Sequence, residues 1–100
     1  MNYTESARII KRIRKEHALT QAQLTDLLNL KNGQYVSNME RGLAKIPPKY
    51  IRFLHDRFGI NPVETIEAII ADERKRVIAE YEKSVPGEPP KRKYDRKTIN

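Results

Sequence analysis

Apolar side chains recur along this chain at the three- and four-residue intervals of helices rather than in strict alternation. Ala7, Ile10, Ile13 and His17 share one side of a helical wheel and Arg8, Lys11, Arg12 and Lys15 the other, which predicts an amphipathic helix over residues 4–17. A second start follows at once. Thr20 is placed to cap, Gln23 to reach back three residues later, and Leu19 with Leu24 to supply the apolar staple, so a helix begins at Gln21. Its stripe is Leu24, Leu27 and Leu28, and it ends by Asn29, a residue that tolerates a left-handed backbone. Leu30-Lys31-Asn32-Gly33 reads as a turn. Asn32 is a cap for a third short helix from Gly33 to Arg41, stopped by Gly42. Val36 and Met39 face inward there, whereas Gln34, Tyr35, Ser37, Asn38 and Arg41 lie off the apolar stripe. A merely solvated face would be filled with Glu and Lys, which are better helix formers.

After a loop from Leu43 to Pro48, Ile51, Leu54 and Phe58 form the stripe of a fourth helix that Gly59 ends. Asn61-Pro62-Val63-Glu64 supplies a cap, a rigid first residue and an early acid for a fifth helix reaching about Lys83. Val63, Ile66 and Ile70 are expected to close the core. Glu73 and Arg74 then interrupt the stripe before Val77, Ile78 and Tyr81 resume it, too far along to reach the same small core. That second patch needs a partner. The expected divisions are a folded body over 1–72, a helical extension over 73–83 and a disordered basic tail over 84–100, the last marked by Pro86, Gly87, Pro89 and Pro90.

One hundred residues with 38% apolar side chains suffice for one core, and the fold class is all-α. Cysteine is absent, which excludes disulfides, thiolate metal sites and a cysteine nucleophile. The longest apolar run, Ala68 to Ala71, is far short of the roughly 20 residues that span a bilayer, and the first residues lack a signal-peptide pattern. No membrane association or secretion is expected. The net charge of +7 is uneven: residues 1–60 hold eleven basic and five acidic side chains, residues 61–83 four and six, and residues 84–100 five and two. A basic first block suits a polyanion, because Lys and Arg on phosphates release condensed counterions.

Enzyme chemistry finds little support. His17 and His55 stand in different helices without a second metal ligand at working spacing, and none of the four glycines falls in a phosphate-cradling cluster. The Asp72-Glu73 pair is expected on an outward helical face. No catalytic residue, metal or cofactor is expected.

Two short helices joined by a tight turn, with a polar outward side on the second, form the layout of a DNA-binding helix-turn-helix. The stretch Leu19-Thr20-Gln21-Ala22-Gln23-Leu24, followed by Val36-Ser37-Asn38-Met39-Glu40-Arg41-Gly42, resembles the Cro and lambda-repressor-like (XRE-type) family of regulators, over roughly residues 6–70. Thr25 and Asn29 stand where that family usually has Ala and Gly, and the turn is one residue longer than usual. The resemblance implies a five-helix lambda-repressor-like domain with an extended fifth helix, acting as a transcription regulator on double-stranded DNA. With the third helix in the major groove, Gln34, Tyr35 and Asn38 are the expected base readers, and Ser37 a weaker one. Gln21, Asn32, Arg41 and Lys45 are expected on phosphates, with Lys31 and Lys49 outside them. Arg14 and Glu40 are, by resemblance, an internal ion pair. Val77, Ile78 and Tyr81 are the expected contacts of a homodimer. The resemblance further implies a cytoplasmic, nucleoid-associated protein. A second reading, an antitoxin or adaptor on the same fold, would use the late helix or tail to engage another protein.

Overall fold

The computed structural model describes residues 2–89. It contains five helices: α1 (Thr4–Glu16), α2 (Gln21–Leu27), α3 (Gln34–Glu40), α4 (Pro48–Phe58) and α5 (Pro62–Lys83). Of the tail expected over 84–100, residues 90–100 lie outside the described residues, and residues 84–89 begin with an extended Ser84 and a turn closed by Glu88 N on Val85 O.

Local chemistry sets the helix ends. Three helices in succession stop with the same pair of backbone bonds, in which one residue turns left-handed and the next N–H reaches back to the third-last carbonyl. Ala18, Asn29 and Gly42 are the turning residues, with φ of 54°, 56° and 75°. The long bonds are Leu19 N to Arg14 O, Leu30 N to Thr25 O and Leu43 N to Asn38 O, at 3.0, 3.0 and 2.8 Å. Asn29 and Gly42 are residue types that accept this backbone, whereas Ala18 has a Cβ in its way.

The core gathers α1, α2, α3 and α4 around Ile10, Leu24, Val36, Met39 and Leu54. Ile46 joins them from the loop before α4 and is almost fully buried, a core position without helical periodicity to announce it. α1 is the hub, packing against both α3 and α5.

α5 is oriented opposite to the expectation. Val63, Ile66 and Ile70, expected to close the core, are 59%, 45% and 55% exposed, and the inward side is Thr65, Ala68 and Asp72. The reason is close approach: small Ser6 and Ala7 of α1 are buried with small Ala68 of α5, leaving no room for side chains as long as isoleucine between the two helices. The Asp72-Glu73 pair is corrected with it, since Asp72 is fully buried rather than outward. Its carboxylate accepts from Glu5 N and Ser6 N, both at 2.9 Å, and from Ser6 Oγ at 2.8 Å. Tyr3 precedes α1 without a side-chain cap of its own, so a residue 66 positions away caps the helix instead.

Candidate nucleic-acid interface

α3 is held from behind and below. Val36 and Met39 have no exposed surface, which fixes the rotation of the helix about its axis. α2 is started by a reciprocal cap, with Thr20 Oγ1 accepting from Gln23 N at 3.0 Å and Gln23 Oε1 accepting from Thr20 N at 2.8 Å. Asn32 Oδ1 then accepts from Gln34 N at 3.0 Å as the chain enters α3. At the far end, Arg14 forms a fork on Glu40, Nε to Oε2 at 2.6 Å and Nη2 to Oε1 at 3.0 Å. Its Nη1 donates to Leu19 O at 2.8 Å, so one guanidinium joins α1, the end of α3 and the approach to α2. The hydrogen bond to Glu40 raises the Arg14 pKa further above its ordinary value.

The outward side carries two amides one turn apart. Gln34 Nε2 donates to Asn38 Oδ1 at 2.9 Å, which leaves the Gln34 carbonyl oxygen as an acceptor beside the Asn38 amide as a donor. Gln34 is exposed, whereas Asn38 and Ser37 are half-buried. Lys31, Asn32, Gln34, Tyr35 and Asn38 share one open depression of about 420 Å³ with Leu30. Tyr35 is partly committed elsewhere: its hydroxyl donates to Lys45 O at 3.3 Å, its ring stands edge-on to Tyr50, and burial pushes its pKa upward.

The expected phosphate contacts do not all lie together. Lys31 and Asn32 border the amides, and Arg41 is exposed at the end of α3. Lys49 lies over the Tyr50 ring, beside a separate depression lined by Leu27, Asn29 and Phe53. Lys45 reaches the opposite way, 3.6 Å from Glu73 of α5. The Gln21 side chain donates to Glu40 Oε1 at 3.2 Å, so it braces the Arg14–Glu40 fork, a role the sequence reading missed because its partner is 19 residues away. Of the basic residues on α1, Arg8 pairs with Glu5, while Arg12 pairs with Glu64 at 2.8 Å and Glu16 at 3.3 Å, which mutes that face.

A helix-turn-helix family model matches residues 10–64, more than half of the chain, and its span takes in α2, the turn and α3 whole. The chain belongs to the Cro and C1-type (XRE) helix-turn-helix family. No curated protein and no solved structure matches it. As an XRE-type helix-turn-helix protein it is a DNA-binding transcription regulator with an all-α, lambda-repressor-like fold, and this family is a regulatory domain rather than a typical enzyme. Among the described residues no helix is long and apolar enough to cross a membrane. In this XRE-type chain His17 packs tilted against Phe58 with ring centroids 4.5 Å apart, whereas His55 is exposed with its Nδ1 2.9 Å from Ile60 O.

Proposed function

We propose that the chain is a sequence-specific repressor that lays α3 in the major groove of double-stranded DNA and reads bases with Gln34 and Asn38. The observation that carries this reading is the amide pair on the open side of a helix whose other side is fully buried. An acceptor beside a donor matches the N6 and N7 edge of adenine, and such a contact is worth about 1–3 kcal/mol against a wrong base. Ser37 and the exposed part of the Tyr35 ring flank the reading pair. Lys31, Asn32 and Arg41 hold phosphates next to it, with Lys49, Lys45 and the start of α2 at Gln21 further out. The protein acts as a homodimer at the nucleoid, bringing two α3 helices to half-sites about 34 Å apart, with Val77, Ile78 and Tyr81 in the contact between copies.

The test is selection of bound sequences from a random duplex pool at fixed salt, for the native chain and for Gln34→Ala and Asn38→Ala. Each variant is expected to relax the consensus at the position its amide reads. Lys31→Ala is expected to weaken binding to all sequences alike and to lower the salt slope by about one. An unchanged consensus in both amide variants refutes the base-reading assignment.

A further inference from the structure

Between the loop that follows α3 and the middle of α5 lies an apolar cleft of about 330 Å³, within the size range of small-molecule sites. Ile46, Ile69 and Ile70 form its floor, and Pro47 and Pro48 one wall. That wall is anchored. Ile46 is almost fully buried in the core, and the carbonyls on either side of it are both in use: Lys45 O accepts from Tyr35 Oη at 3.3 Å and Pro47 O from Tyr50 N at 3.0 Å. The cleft is therefore held open by bonds already made, not by anything that would have to move to admit an occupant.

Charge at the mouth decides what the occupant must carry. Lys45 and Glu73 face each other there, but they are not equally provided for. Arg76 donates to Glu73 Oε1 through Nε at 3.2 Å and again through Nη2, and this bonding is the main cause that holds the Glu73 pKa below its ordinary value. Lys45 has no such partner. Its Nζ lies 3.6 Å from Glu73 Oε2, beyond hydrogen-bond distance, and its side chain is 59% exposed. Deeper in, the Ser6 hydroxyl is committed to Asp72. An ammonium short of an acceptor thus stands over an apolar floor.

We infer that this cleft binds a small amphipathic carboxylic acid, whose apolar body covers Ile46, Ile69 and Ile70 and whose carboxylate accepts from Lys45 Nζ. Burial of the body supplies the affinity, and the ammonium–carboxylate bond supplies the selectivity. A neutral apolar molecule leaves Lys45 unanswered, and a dianion meets Glu73. The site also has a route to α3. Lys45 holds the mouth with its side chain and Tyr35 with its carbonyl, and in the same loop Leu43 N bonds Asn38 O at 2.8 Å. A carboxylate on Lys45 withdraws an ammonium proposed above as an outer phosphate contact and adds a negative charge beside it, so the acid acts as an inducer that loosens the duplex. Only this last step rests on the DNA-binding reading.

The probe is octanoate, titrated calorimetrically into the full chain without DNA and below its micelle concentration, with octanol and acetate as controls. Octanoate is expected to bind saturably and one to one, octanol about tenfold more weakly and acetate not at all. Lys45→Gln should weaken octanoate about tenfold, whereas Glu73→Gln, which removes the competing carboxylate, should tighten it; circular dichroism checks that both variants keep the native helix content. No saturable binding, octanol binding as tightly as octanoate, or an unchanged affinity in Lys45→Gln overturns the site. With the duplex selected as above, octanoate is expected to raise the Kd several-fold relative to acetate at equal ionic strength. Octanoate that binds without moving this Kd overturns the inducer role. A chain that takes octanoate but no duplex overturns the DNA reading and leaves the site standing.

Discussion

Replacing Asp72 by alanine should destabilise the protein far more than its place on a charged stretch of α5 suggests. The carboxylate is fully buried and accepts three hydrogen bonds from the first turn of α1. Its removal deletes a helix cap and strands the buried Ser6 N, a single loss of about 1–3 kcal/mol. Water can reach Glu5 N, which is only part-buried, and Ser6 Oγ keeps Tyr3 O as an acceptor at 3.3 Å, so those donors contribute little. The loss is about 2 kcal/mol. At roughly 4–8 °C per kcal/mol for a domain of this size, the melting temperature should fall by about 12 °C. A small domain with about 5–15 kcal/mol in hand remains folded at 25 °C, so duplex affinity can be measured there on both proteins. Thermal and urea unfolding followed by circular dichroism give the stability difference, with Ser6→Ala as the partial counterpart at about 1 kcal/mol. A loss below about 0.5 kcal/mol for Asp72→Ala would refute the long-range cap.

Arg14→Ala should lose about 2–4 kcal/mol, because it strands the buried Glu40 carboxylate, and duplex affinity should fall with stability. Arg12→Ala should leave the melting temperature nearly unchanged and alter only the salt dependence of binding; equal, stability-neutral losses in both variants would contradict this division. Arg12 also holds the Glu64 carboxyl below its ordinary pKa, chiefly through their hydrogen bond. A depressed carboxyl contributes stability that is present above its unfolded pKa and lost as pH falls through the lower folded value. Carboxyl NMR titration of Arg12→Ala should therefore move the Glu64 midpoint upward. Ala18→Gly should stabilise by about 0.5–1 kcal/mol, relief of the left-handed penalty exceeding the added chain entropy, and a lowered melting temperature would show that the Ala18 backbone is not strained.

The helix ends written in adjacent residues were readable from sequence. Thr20 with Gln23, Asn29, Asn32, Gly42 and Asn61 act within a few positions of their own backbone, which is where sequence patterns speak most directly. The family resemblance drew on the same stretch. α5 was misjudged for a physical reason: periodicity shows which residues share a side, not which side is covered. The pattern points its apolar side inward, whereas a tight α1–α5 approach admits only Thr65, Ala68 and Asp72. Asp72 as a cap and Gln21 as a brace depend on partners far away in the chain, and Ile46 is buried from an irregular segment. The outward position of Gln34 was legible because Val36 and Met39 mark the inner side of the same short helix.

On the base-reading role proposed above for Gln34 and Asn38, the bond between them ties two recognition letters into one. The bond biases both side chains toward one arrangement before any duplex arrives, which lowers the ordering cost of binding. Replacing one alone also frees its neighbour to swing. Retargeting this regulator to a new operator therefore calls for exchanging both residues as a unit, and libraries that vary one position at a time will miss the useful combinations.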